Sequence, residues 1–327
     1  MTYRSLCIKT LSEKPVLVDQ DLLALEKGQV RLKMLYAPIN PADFNMMDGH
    51  YVIQPDCPFV LGNEGVGVVD SVGDDVDSSW IGKRVFFPFQ MRRQWFGFWA
   101  DYVTLPIQGC IEVPDFMDDH QAAMMAINPL TALVVLSDRV SLKKGDWIIQ
   151  NAANSALGRW FIYVAHYYGF HTVNVVRRDS LVEPLKQLGA DSVIVYEDQF
   201  SKQLPQKGKF KLALNGVGGA SAKELSKCLD YQGMLITYGA MGREPVCVGN
   251  VALIYKCIVS TGFNRSLWAE SVSLDYVQDY YDRLFAMLET QSFSIPIKHV
   301  FELADYTDAL AMAQQSNLDG KVLFRFS

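Results

Sequence analysis

Residues Val30-Arg31-Leu32-Lys33-Met34-Leu35 alternate apolar and polar side chains, the period of a strand with one buried face. Glycines bound a second apolar run, Gly65-Val66-Gly67-Val68-Val69-Asp70-Ser71-Val72-Gly73, and Gly82-Lys83-Arg84-Val85-Phe86-Phe87-Pro88 reads as a turn into a third strand. Trp99-Ala100-Asp101-Tyr102-Val103-Thr104 predicts a further strand, stopped by Pro106. Short strands with Gly and Pro punctuation, over roughly the first 115 residues, predict a barrel-like β domain.

From residue 121 the pattern becomes strand–helix alternation. Trp147-Ile148-Ile149-Gln150 is a compact apolar strand. Leu157, Trp160, Phe161, Val164, Ala165 and Tyr168 then follow at helical spacing, with Gly169 where a C-terminal cap belongs. Further strands are predicted at Thr172–Val176, Ser192–Tyr196, Phe210–Asn215, Met234–Tyr238 and Cys257–Thr261, and a short helix ends at Gly189. Six strands in alternation with helices are the pattern of a doubly wound parallel sheet. After Trp268 a long amphipathic helix is expected to about Thr290, then a strand at Val300–Leu303, a helix at Ala309–Gln314 and a strand at Val322–Phe326 that return to the first domain. The organisation expected is α/β, with residues 1–120 completed by 269–327 and a dinucleotide-type domain over 121–268.

At 327 residues the chain has room for two domains, each with a sizeable core. A net charge of −6 and a pI near 5.4 argue against nucleic acid or an anionic membrane as the main partner. No apolar run is long enough for a membrane span, and the first residues carry no signal-peptide core. Six scattered cysteines without a C-x-x-C pair suggest neither a zinc knuckle nor a disulfide framework, and point to a reducing, cytoplasmic compartment.

The turn after the strand 147–150 reads Ala153-Asn154-Ser155-Ala156-Leu157-Gly158. Only one glycine of a dinucleotide fingerprint is present, but its neighbours are small, with a strand before and an amphipathic helix after. A helix N-terminus in that place offers N–H groups to phosphate. The second strand ends in Val176-Arg177-Arg178-Asp179. An acid at this place selects a ribose 2′-hydroxyl, whereas a guanidinium pairs with a 2′-phosphate, so Arg177 and Arg178 favour NADPH over NADH.

Together with Ala37-Pro38-Ile39-Asn40-Pro41-Ala42-Asp43, Gly49-His50-Tyr51, Gly62-Asn63-Glu64-Gly65-Val66, Asn128-Pro129-Leu130-Thr131-Ala132, Asn215-Gly216-Val217-Gly218-Gly219, Thr237-Tyr238-Gly239-Ala240-Met241 and Gly262-Phe263 with Trp268, these segments mark a family. The chain resembles zinc-free medium-chain dehydrogenases/reductases, and within them the mitochondrial-type trans-2-enoyl thioester reductases, over roughly residues 30–325. The resemblance implies a GroES-like β-barrel domain plus a Rossmann doubly wound sheet. It also implies NADPH contacts at Asn128 (nicotinamide end), at Asn154, Ser155, Ala156 and Leu157 (pyrophosphate), and at Arg177 and Arg178 (2′-phosphate). Tyr238, Gly239, Ala240, Met241, Phe263, Asn264 and Arg265 would line the nicotinamide and ribose, and Lys321 would approach from the returning tail. Zinc-dependent relatives carry Cys at the place of Asn40 and His at that of Asn63; asparagine is not a usual zinc ligand, so no metal is expected.

Without a metal, reduction of a polarised C=C bond is more accessible than alcohol oxidation. Hydride adds at the β-carbon, charge collects on the carbonyl oxygen, and a donor completes the reaction. The resemblance gives that role to Tyr51, and places Trp268 near the active site. One departure stands out: Asn264-Arg265 replaces an apolar pair of the family, which argues against a long acyl chain or reflects a turn toward solvent. Three functions remain: reduction of a CoA- or carrier-bound 2-enoyl thioester, reduction of quinones or enones, and non-catalytic NADPH binding. A homodimer is expected by analogy, through the edge strand at 257–261.

Overall fold

The computed structural model describes residues 2–51, 54–89, 95–204 and 209–326. They form two compact units, residues 1–127 with 266–327, and residues 128–265. Along the chain come strands β1 (Thr2–Ile8), β2 (Val16–Asp21) and β3 (Gln29–Pro38), helix α1 (Pro41–Met47), and strands β4 (Phe59–Val60), β5 (Val66–Val72), β6 (Arg84–Phe86), β7 (Tyr102–Pro106) and β8 (Ile111–Glu112). Helices α2 (Asp119–Ala122) and α3 (Asn128–Ser137) follow, then β9 (Trp147–Gln150), α4 (Ala156–Tyr168), β10 (His171–Val176), α5 (Val182–Gln187), β11 (Ser192–Val195), β12 (Phe210–Asn215), α6 (Gly219–Cys228), β13 (Leu229–Thr237), α7 (Asn250–Lys256) and β14 (Val259–Gly262). The chain ends with α8 (Arg265–Glu270), α9 (Leu274–Thr290), β15 (Ile297–Glu302), α10 (Tyr306–Ala313) and β16 (Lys321–Arg325).

In the first unit β3 is central. Val30, Leu32 and Met34 are buried while Lys33 faces water, so the alternation does set one face inward. β3 pairs antiparallel with β5, β7 and β16, and β16 pairs with β15, so the C-terminal strands complete a sheet begun near the N-terminus. A smaller sheet runs β2-β1-β4. This is the GroES-like domain. Element bounds differ from the sequence reading in several places, among them β15, α10 and β16, each displaced by one to three residues. The strand expected from Trp99 starts at Tyr102 and runs through Pro106, which lies at its end opposite Gln29. The long helix expected after Trp268 is α9, which ends at Thr290 as expected but starts at Leu274, where Ser273 caps it by accepting from Tyr276 N. The unit boundaries also fall a few residues away, at 127/128 and 265/266. Gln121 is tied to Ile295 and Tyr281 Oη to Met125 O, which keeps residues through 127 in the first unit, while the Trp268 ring joins Tyr276 and Tyr280 there.

The second unit is a six-stranded, all-parallel sheet in the order β11-β10-β9-β12-β13-β14, the Rossmann arrangement. Its central strands β9, β10 and β12 are buried along most of their length, as in a parallel sheet covered on both faces, while the edge strand β14 is largely exposed. Val173 and Val175 of β10 pack with Ile149, Ala213, Leu225 and Leu235, while Val176 points the other way toward Ile162, Leu181 and Leu185. Gly169 closes α4 in the left-handed conformation at φ +73°. The last strand begins at Val259, since Cys257 is the left-handed cap of α7.

Candidate functional site

In the second unit the chain reverses its strand order between β9 and β12, and in such sheets ligands bind beyond the strand carboxyl ends at that point. A cavity of about 300 Å³ lies there, lined by residues that follow β9 (Asn151, Ala152), end β10 (Val175, Val176, Arg177) and follow β12 (Val217, Gly218). Its floor is tied by side-chain amides. Asn151 Nδ2 donates to Asn215 Oδ1 at 2.9 Å and to Ser221 Oγ at 3.0 Å, and Asn215 Oδ1 also accepts from Gly218 N at 3.0 Å. Each buried amide is thereby spent on holding two turns together.

Beside this cavity Ser155 caps the 13-residue helix α4 by accepting from Gly158 N at 3.0 Å, leaving the first-turn N–H groups of Ala156 and Leu157 for an anion. Gly158 has to be glycine, because a Cβ there would stand 2.6 Å from Ala153 O. Arg177, exposed at the end of β10, supplies a cation at the cavity rim. Tyr238, just after β13, lays its ring against Gly216 and 5.5 Å from the Phe161 ring. Its hydroxyl is buried with no hydrogen-bond partner among the described residues, and burial raises its pKa further above that of a free phenol. It is a protonated donor in want of an acceptor. Helix N-terminus, rim cation, aliphatic walls and orphan donor together fit a phosphorylated dinucleotide.

The first unit carries a buried polar cluster. Asp43, fully buried on α1, accepts from Asn40 N at 2.7 Å and from Asn63 Nδ2 at 2.6 Å. Asn40 Nδ2 donates to Glu64 Oε1 at 3.0 Å, and Glu64 Oε2 accepts from Ile127 N at 3.1 Å. Lys321 Nζ donates to Asn40 Oδ1. Burial pushes the Asp43 carboxyl up to about 6 from 3.8, against the pull of its hydrogen bonds and of Lys321. Burial likewise lowers the Lys321 pKa, against Glu64 and Asp43, although part of its stem stays exposed. Asp43 thus fastens α1 at its first turn, and His50 N bonded to Asn45 O at 2.7 Å carries the chain off that helix toward Tyr51.

The residues singled out from sequence fall into both units. Asn128, Asn154, Ser155, Ala156, Leu157, Arg177, Arg178, Tyr238, Gly239, Ala240, Met241, Phe263, Asn264 and Arg265 belong to the second. There Asn128 is buried at the start of α3, Phe263 N donates to Thr237 O, and the Arg139 guanidinium lies 6.0 Å from the Phe263 ring. Asn264 is exposed and Arg265 buried, so only the first of that polar pair faces solvent. Tyr51, Trp268 and Lys321 belong to the first unit. Tyr51 is half-buried, and Trp268 is packed edge-on against Tyr280 at 5.3 Å. Lys321, expected at a cofactor, has its ammonium in the Asn40 cluster.

Residues 26–115 match the family model described as the alcohol dehydrogenase GroES-like domain, and residues 156–275 that described as zinc-binding dehydrogenase. A mitochondrial enoyl-acyl-carrier-protein reductase of Dictyostelium discoideum is 38% identical over 308 residues, covering 91% of this chain and 87% of that protein. The chain belongs to the zinc-free medium-chain dehydrogenases/reductases, of the enoyl thioester reductase type. Two solved structures match it over their full lengths: a protein described as an NADPH:quinone reductase from Bacillus thuringiensis (27% identity, TM-score 0.90) and the mitochondrial 2-enoyl thioester reductase heterodimer from Candida tropicalis (25% identity, TM-score 0.86).

Within this family of oxidoreductases the cluster takes on meaning. Asn40 and Asn63, which the family resemblance sets at the places of zinc ligands, commit their carboxamides here to Glu64, Lys321 and Asp43. An amide nitrogen that donates to a carboxylate has no lone pair for a metal. Sequence reasoning took Asn40 and Asn63 only as absent ligands and missed Asp43 and Glu64. The Asn-x-x-Asp spacing at the start of α1 is the capping-box pattern and could have pointed to Asp43.

Proposed function

We propose that the protein reduces the C=C bond of 2-enoyl thioesters with NADPH, the acyl group being carried on CoA or an acyl carrier protein. The observation that carries the reading is the switch-point cavity with Arg177 at its rim beside the capped N-terminus of α4. That combination suits a dinucleotide bearing an extra phosphate. The names of the Dictyostelium and Candida relatives support the thioester substrate. When bound, NADPH supplies the hydride. Arg177 and Arg178 would pair with its 2′-phosphate, the α4 N-terminus would hold its pyrophosphate, and the Tyr238 hydroxyl would offer it a hydrogen bond. Tyr51 is the donor that completes the reduction, and the Asp43 cluster positions it through α1. Trp268 shapes the acyl side.

The Bacillus neighbour supports a second reading, quinone or enone reduction. NADPH consumption measured with crotonyl-CoA and with quinones, over a series of acyl lengths, separates the two. Turnover of quinones alone overturns the thioester reading, and NADPH binding without any turnover overturns both. We further propose a homodimer through the β14 edge. Val251, Ile254 and Tyr255 on helix α7 are 66%, 66% and 75% exposed, and β14 ends the sheet with no further strand beside it among the described residues. A monomer by light scattering at micromolar concentration overturns it. Cytoplasmic placement is also a proposal, which fractionation tests against the mitochondrial setting named for the relatives.

A further inference from the structure

The cavity at the switch point has one acid on its wall, Glu244, and nothing so far gives it work. Val175, Val176, Val217 and Ala220 supply aliphatic walls, and Tyr196, whose phenol feels the Glu244 charge, an aromatic one. Such walls suit the two faces of a flat heteroaromatic ring. Arg177 is the lining cation. A phosphate entering this cavity is drawn to Arg177 and repelled by Glu244, so the carboxylate is placed for a neutral donor.

Glu244 is held there by construction. Its loop is laced to the turn after β12 by three backbone hydrogen bonds: Met241 N to Gly216 O at 2.9 Å, Gly242 N to Val217 O at 2.9 Å, and Gly219 N to Pro245 O at 3.0 Å. Gly218 and Gly219 clear the space. Both have positive φ, +93° and +52°, and a Cβ on Gly218 would stand 2.5 Å from Glu244 O. A Cβ on Gly219 would collide with the Glu244 carboxylate itself. The carboxylate therefore lies against the first residue of α6, a ten-residue helix whose positive end steadies it.

We propose that Glu244 selects the purine of the cofactor: its carboxylate accepts from the exocyclic amino group of adenine and repels a purine that carries a carbonyl oxygen at that position. This rests on reading the cavity as the adenosine end of a dinucleotide site. Adenine presents an N–H₂ donor at its 6-position where hypoxanthine and guanine present an acceptor oxygen, and a carboxylate is acceptor-only, so one ring is bonded and the other is opposed. The aliphatic walls hold either ring equally, and Glu244 is the lining carboxylate that tells the two apart.

The test is calorimetric titration of the full chain with NADP⁺ and with its hypoxanthine analogue, for the wild type, Glu244→Gln and Glu244→Ala, with thermal melts to establish folding. The wild type should bind NADP⁺ about ten- to a hundredfold more tightly than the analogue, the range of a charge-assisted hydrogen bond. In Glu244→Gln the amide can turn to donate to the carbonyl oxygen, so the preference should fall below about threefold, mainly through tighter analogue binding. Glu244→Ala should lose the preference through weaker NADP⁺ binding. Equal wild-type affinities, or a preference that survives both substitutions, overturn the role of Glu244 and leave the cofactor reading intact. Binding of neither dinucleotide by the wild type overturns the cofactor reading and this inference with it.

Discussion

Replacing Lys321 with Met keeps the aliphatic stem and deletes the ammonium. Asn40 Oδ1 loses its donor, and Asp43 and Glu64 lose the cation that both feel. Each carboxylate keeps its two hydrogen bonds, Asp43 from Asn40 N and Asn63 Nδ2, Glu64 from Asn40 Nδ2 and Ile127 N. What remains is a buried cluster with two acids and no cation. Removing one partner of a buried charge pair costs about 3–5 kcal/mol, and the retained hydrogen bonds place the expected loss toward the lower figure.

The loss should depend on pH in a definite direction. Asp43 has a folded pKa of about 6 against 3.8 unfolded, so between those values the folded state binds more protons. Its stabilising contribution is complete below the unfolded value and disappears as pH rises through the folded one. Without Lys321 the folded pKa climbs further, at about 1.4 kcal/mol per unit, so the variant should be most impaired near pH 8 and recover toward pH 5. Urea unfolding of wild type and Lys321→Met, followed by tryptophan fluorescence in the absence of cofactor, measures this. The transition belonging to the first unit is the one that should move. A loss below about 1 kcal/mol, or one equal at both pH values, refutes the view of Lys321 as counter-ion of the cluster.

Arg177→Ala should weaken NADPH binding by about ten- to a hundredfold and leave NADH nearly unchanged, by fluorescence titration; equal losses would remove the 2′-phosphate assignment. Tyr51→Phe should lower kcat on crotonyl-CoA by about 10²–10⁴-fold while quinone reduction persists, since water can protonate a reduced quinone. A fall of less than about threefold would deny Tyr51 the donor role. Gly216→Ala introduces a Cβ 2.9 Å from Tyr238 Oη and 3.0 Å from Cζ, so the ring must shift. NADPH affinity should drop several-fold both here and in Tyr238→Phe, and an unchanged affinity in Tyr238→Phe would show that the hydroxyl makes no bond to the cofactor.

What could be read from sequence followed the distance over which a feature is encoded. β9 and β12 occupy the residues expected because both are apolar runs bounded by turns, and α4 ends at Gly169 because the cap lies in the same few residues as the periodicity. The errors are local competitions that pattern does not weigh. Ser273 sets the start of α9 a few residues later than the apolar spacing suggested, and Cys257 caps α7 although it is apolar enough to read as strand. The cluster in the first unit is of another kind. Lys321 and Asn40 stand 281 residues apart, and no window along the chain can join them. Only the pairing of β16 with β3 brings the C-terminal lysine to the start of α1. Glu244 likewise lies outside every motif, and reaches its cavity because a loop after β13 is laced to the turn after β12. Residues whose chemistry depends on β-sheet neighbours are therefore the ones sequence reasoning passes over. In this protein they are Asp43 and Glu64, the acids that receive Lys321 beside the helix leading to Tyr51, and the acid on the wall of the dinucleotide cavity.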